Sequence, residues 1–181
     1  MLNYCLSAFL PIFTMEDYMV SRRMGIVLFL SVLLVIPVSA SMVSFLVVET
    51  GLNENIPANQ ISTLWGGGLM AAFFDAGYIV TDSPLVRMEK RPAKDFTGEI
   101  ESDFNEAVTA GAEYFVLGFL EYQYTGGKFV PVSISVKLYE IDSKKQIFEQ
   151  IFPVGAGKNL AEEHQNAQSA GRMIVSYIKD R

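Results

Sequence analysis

A chain of 181 residues, half of them apolar and with a formal net charge of −6, has room for one well-buried domain and a short extra segment but not for two full domains. That composition excludes a disordered chain, and the acidic balance argues against nucleic acid, which is bound through clustered Lys and Arg. The only cysteine is Cys5, so no intramolecular disulfide can form.

The apolar excess is concentrated before residue 50. Arg22 and Arg23, the apolar run from Gly25 to Ile36, and then Pro37, Val38, Ser39 and Ala40 follow one another as the basic region, apolar region and small-residue cleavage site of a secretion signal. Cleavage is expected between Ala40 and Ser41, which divides the chain into a signal at 1–40 and an exported periplasmic domain at 41–181. Apolar residues resume at Met42 to Val48, so the alternative is an uncleaved inner-membrane signal anchor with the domain facing the periplasm. Met1 to Phe13 is apolar but too short to span a bilayer, and a true start at Met15 or Met19 would give the signal ordinary proportions. Ser41 as the first mature residue offers no thiol for a lipid anchor.

Ser44 to Glu49 is a continuous β-branched and aromatic run, which predicts a central parallel strand buried on both faces. Pro57 suits the first turn of a helix, and Ile61, Leu64, Trp65, Leu69, Ala72, Phe73 and Ala76 recur at helical spacing up to a stop at Gly77. Tyr78 to Thr81 then reads as a second strand, parallel to the first through a right-handed crossover. Asp82 to Ile100, with Pro84, Pro92 and the basic residues Arg87, Lys90, Arg91 and Lys94, reads as an exposed loop. Ser102 is the expected cap of a short helix closed by Gly111, ahead of an apolar strand from Tyr114 to Leu120. Val132, Ile134, Val136 and Leu138 alternate with Ser133, Ser135, Lys137 and Tyr139, which predicts an antiparallel strand with one wet face. Turns at 125–128 and 142–145 lead to a last strand at Gln146 to Val154. A final helix is capped by Asn159, with Glu162 and Glu163 in its first turn and Leu160, Ala167, Ala170, Ile174 and Ile178 inward. The expected fold is α/β (α+β): a mixed four- to five-stranded sheet flanked by about three helices in the order βαβαβββα.

No catalytic, cofactor-binding or metal site follows from the motifs. Gly155 to Asn159 sits where a phosphate loop would, but Phe152 and Asn159 stand where that loop needs a glycine and a hydroxyl. His164 is the only histidine and has no second nitrogen or sulfur ligand near it in sequence. Glu99, Glu101, Asp103 and Glu106 read as solvated acids at a helix start. Gly66, Gly67 and Gly68 cost together about 2–3 kcal/mol against alanine in a helix, to be offset either by close packing or by a flat surface beside Trp65 for a partner or a second copy. Arg87, Lys90 and Arg91 are the other candidate interaction residues.

Three stretches carry a family resemblance: Ala107 to Gly118, a helix followed by Gly-Ala-acid-Tyr and an apolar strand; Ala72 to Thr81, helix to strand; and Val136 to Lys145, a strand with an acidic hairpin turn. Together they resemble bacterial envelope proteins of the group that includes the TolB amino-terminal domain, LpoB and CsgG. The resemblance spans roughly residues 43 to 180, a single-domain length. It implies a periplasmic domain that docks on other envelope proteins and has no catalytic residues to carry over. The first expectation is therefore a non-enzymatic adaptor or assembly factor, self-association included. The alternative is a periplasmic small-molecule binding protein with a pocket among Tyr114, Tyr122 and Tyr124.

Overall fold

The apolar run at Ser44 to Glu49 lies at the heart of the sheet, and the rest of the chain winds outward from it. The structure is a computed structural model describing residues 40–52 and 60–181; the expected signal sequence, the alternative starts and Pro57 lie outside the described residues. Strand β1 (Met42–Thr50) is flanked by parallel strands on both sides: β2 (Ile79–Asp82) and β3 (Val86–Met88) on one, β4 (Tyr114–Thr125) on the other. Antiparallel β5 (Lys128–Glu140) and β6 (Lys145–Pro153) extend the sheet beyond β4. The described elements run βαββαβββα, a mixed six-stranded sheet with three helices. The expected order lacked β3, whose three residues are too few to carry a periodic signal and which pairs only with Val48–Thr50.

Helix α1 (Gln60–Asp75) and helix α3 (Leu160–Lys179) cover one face of the sheet, burying Trp65, Leu69, Phe73, Ala167, Ala170 and Ile174 against Phe45, Val116 and Ile134. Each fully buried large apolar side chain contributes roughly 1.5–3 kcal/mol. A side chain at Gly68 would put its Cβ 2.5 Å from that of Ala167, and one at Gly171 would meet Ala72 at 2.6 Å. The two helices therefore approach through small residues, which accounts for Gly68. The inward face of α3 departs from the expected one at its start: Leu160 is exposed and the buried face begins at Glu163.

The opposite face carries helix α2 (Glu99–Thr109), packed through Ile100, Phe104 and Ala107 on Leu46, Phe115 and Leu117. Its cap differs from the expected Ser102. Gly98 takes the cap position ahead of Glu99; its φ of 56° suits glycine and its carbonyl accepts the Ser102 N–H at 3.2 Å. The expected wet face of β5 is also corrected, because Ser135 and Tyr139 are buried beneath the segment between β3 and α2. Phe96 of that segment stacks edge-on against Tyr139 at 4.7 Å and lies 4.5 Å from the Phe104 ring.

The connection β1–α1–β2 and the crossover from β3 through α2 to β4 place their strands on opposite sides of β1 and their helices on opposite faces. The carboxyl end of β1 is thus a topological switch point, where open α/β sheets bind ligands.

Candidate functional site

Glu49 stands at that switch point with none of its surface exposed. Its Oε1 accepts the Ser62 hydroxyl at 2.7 Å and the Tyr122 hydroxyl at 3.1 Å, and its Oε2 accepts Arg87 Nε at 2.6 Å. Four elements meet there: β1, the first turn of α1, β3 and the bulged part of β4. Burial first, and then the Glu49 carboxylate, push the Tyr122 hydroxyl far above its ordinary value, so it remains a donor. The place where a ligand would sit is occupied by the chain's own side chains: the Ser62 hydroxyl beside the Glu49 carboxylate is 1% exposed, as closed to a substrate as the acid itself.

A second buried carboxylate holds α1 less than one turn further along, at Trp65. Glu163, 2% exposed, accepts the Trp65 indole N–H at 2.8 Å and the backbone N–H groups of Gly155 and Gly157, each at 2.9 Å. Burial alone would raise its pKa, but the backbone donors of Gly155 and Gly157 and the indole more than offset this, so it titrates below its ordinary value. The loop that resembles a phosphate cradle in sequence therefore holds an internal carboxylate where an anion would sit. Next to it, Asn159 caps α3 as expected, accepting the Glu162 N–H at 2.9 Å.

A third cluster fixes the segment that covers β5. Lys137 Nζ lies 2.5 Å from Asp95 Oδ2, and the Tyr139 hydroxyl donates to the same oxygen. Burial would raise the Asp95 carboxyl, and the bonds from Lys137 and Tyr139 outweigh it, leaving its pKa below the usual carboxylate range. The Arg91 guanidinium lies over the Phe119 ring at 4.3 Å and within 3.8 Å of Glu121 and Glu149.

The residues expected on an interaction surface are placed as follows. Trp65 is 1% exposed and Gly66 and Gly68 are buried, so they belong to packing. Arg87 and Arg91 are engaged within the chain; Lys90 is exposed and Gly67 half-exposed. The tyrosine pocket does not form. Tyr114 starts β4, Tyr122 bonds Glu49 near the other end of that strand, and Tyr124 is exposed with its ring 5.0 Å from Phe129. His164 is half-buried on α3.

Glu49, Asp95 and Glu163 were not singled out from the sequence. The available signal is positional: an acid that ends a strand buried on both faces must find donors inside the fold, and Glu49 ends such a run. Glu163 gave no such signal, since an acid in a first helical turn is ordinarily solvated. Among the described residues no group of three or more His, Cys, Asp or Glu could hold a metal ion, and no helix is long and apolar enough to cross a membrane.

Two surface features remain. An open groove of about 290 Å³ lies between α1 and the interrupted sheet edge, where Ser83, Pro84 and Leu85 separate β2 from β3. On the far side, β6 forms an edge strand of nine residues with no strand beyond it among the described residues.

No family model and no curated protein matches the chain. Solved structures do resemble it. PelC from Paraburkholderia phytofirmans, a dodecamer, is 15% identical, with 76% of this chain and 86% of that one covered and a TM-score of 0.44. TolB from Acinetobacter baumannii is 17% identical over 79% of this chain and 28% of its own, with a TM-score of 0.36. The LpoB C-terminal domain from Escherichia coli is 14% identical over 64% of this chain and 83% of its own, with a TM-score of 0.37. The likeness is one of fold. TolB and LpoB, two of the three proteins suggested by the sequence motifs, are among these structures.

Proposed function

We propose that the chain is an exported, non-enzymatic envelope adaptor that docks on other periplasmic or membrane proteins, with a segment of its partner adding as a strand along β6. The observation that carries this reading is the difference between the two edges of the sheet. On one side β2 and β3 are four and three residues long and are interrupted at Pro84, a form that resists edge pairing. On the other, β6 is hydrogen-bonded among the described residues to β5 alone and shows Ile151 65% exposed, with Lys145 and Pro153 marking its ends. A partner strand gains main-chain hydrogen bonds at such an edge and specificity from alternate side chains.

The export part of the proposal rests on the signal pattern at 1–40 and predicts a periplasmic species beginning at Ser41. Cell fractionation with intact-mass analysis reads this directly; a membrane species retaining Gly25 to Ala40 would replace it by a signal anchor. For docking, a photoreactive residue at Ile151 should give adducts with an envelope protein in living cells, and one at exposed Thr81 on β2 should not. Adducts from Thr81 alone would overturn the choice of edge.

A further inference from the structure

We propose that the strand received by β6 is amphipathic and basic: a Lys or Arg of the partner lies beside Glu149, and its neighbours in sequence turn apolar side chains onto the rings of Phe148 and Phe152. This rests on the reading of β6 as the docking edge and names the chemistry of what docks there.

The direction of the main chain decides which residues of β6 meet the partner. The Val154 N–H donates to the Val132 carbonyl at 3.1 Å, so Val154 points its main-chain groups at β5. Alternation along the strand turns those of Phe152, Gln150 and Phe148 the same way and leaves those of Glu149 and Ile151 pointing out from the sheet edge. Pro153 has no N–H and ends the ladder there. An added strand therefore bonds Glu149 and Ile151, and its residues opposite them lie on the same face of the sheet as those two side chains.

That face is charged, and unevenly. Glu149 lies across from Lys137 and Ile151 from Ser135. Arg91 stands 3.7 Å from Glu121 and 3.8 Å from Glu149; Lys137 stands 2.5 Å from Asp95 and 3.8 Å from Glu149. Two cations thus serve three carboxylates, and each already holds another acid at the same or a shorter distance. The closest donor to Glu149 is the neutral Gln146 amide at 2.9 Å, and 41% of the Glu149 side chain is exposed. A cation brought in by the partner meets the unbalanced negative charge, whereas a carboxylate opposite Glu149 is repelled. The net charge of −6 on the whole chain acts in the same direction at longer range.

The other face of the same edge is apolar. Phe148 and Phe152 are half-buried, with their rings 5.4 Å from Tyr177 and 6.1 Å from Trp65. Gln150 lies between them on that face, so the partner residue opposite Gln150 sits between two rings, where an apolar side chain packs best. Only a strand with a basic residue on one face and apolar residues on the other satisfies both sides.

The probe is a blocked peptide, Thr-Val-Lys-Val-Thr-Val-Thr, compared with the same peptide carrying Gln or Glu in place of Lys. Each is titrated to millimolar concentration against the chain in the form the cells accumulate, and the backbone amide signals of Glu149 and Ile151 are followed by NMR. The Lys peptide should shift both signals and bind about three- to fivefold tighter than the Gln peptide, with the Glu peptide weaker still. In Glu149→Gln the preference for Lys over Gln should fall below about twofold. Equal binding of the Lys and Gln peptides at these amides would overturn the inference and leave strand addition along β6 standing. A preference for Lys that survives in Glu149→Gln would overturn it as well, since bulk charge would then account for it. No shift from any of the three peptides would overturn it together with the docking reading.

Discussion

Glu49 and Glu163 are both carboxylates withdrawn from water, and the chain solves the same problem at the two places in different ways. Glu49 has a cation, Arg87, with two hydroxyls completing its shell. Glu163 has no cation against it in the described structure; two loop amides and an indole hold it. Both anchor α1, through Ser62 to the end of β1 and through Trp65 to the start of α3. The difference teaches where each anchor is vulnerable: the first to loss of a charge, the second to protonation.

Removing the cation should have the largest effect. Arg87→Ala leaves Glu49 buried without its counter-charge and should cost about 3 kcal/mol, read as a lower denaturant midpoint at unchanged slope. Glu163→Gln should cost less, about 2 kcal/mol, since the amide keeps the shape but loses the charge assistance to three donors. It should also change the acid limb. The folded pKa of Glu163 is lowered, so its stabilisation is complete above the unfolded value of about 4.3 and is lost as pH falls below that toward the folded value. The wild type should therefore lose stability across that window more steeply than Glu163→Gln, as thermal melts at stepped pH would show. Trp65→Phe keeps most of the buried ring and removes only the indole donor, so it should cost about 1–2 kcal/mol and leave Arg87→Ala additive with it. The smallest effect lies just beyond the anchors: Gly67→Ala should raise stability by about 0.5–1 kcal/mol, whereas Gly68→Ala should lower it by forcing α1 from Ala167.

The elements with long, unmixed patterns were legible in the sequence: β1 as a central strand, the helical spacing of α1, the Gly126 and Gly127 hairpin turn, and Asn159 as the cap of α3. What was hidden depends on contacts between distant segments. Arg87 and Arg91 look like free surface charges because the chain gives no sign that Glu49, Glu121 and Glu149 will be brought to them. The polar alternation of β5 predicts a wet face correctly for an isolated strand, and it fails because Asp95 and Phe96 fold over Lys137 and Tyr139. Nor can periodicity distinguish Gly67 from Gly68, since only the position of α3 decides which of the two is crowded.

The central claim is that the internal clusters hold the fold together while the β6 edge meets a partner. Hydrogen exchange compares these directly, on the purified chain and on the same chain retained in an envelope extract with its partner bound. Amides of Lys145–Pro153 should gain protection in the complex while those of Ile79–Met88 do not. Protection gained over Ile79–Met88 instead, or none at β6 in an intact complex, would contradict the account.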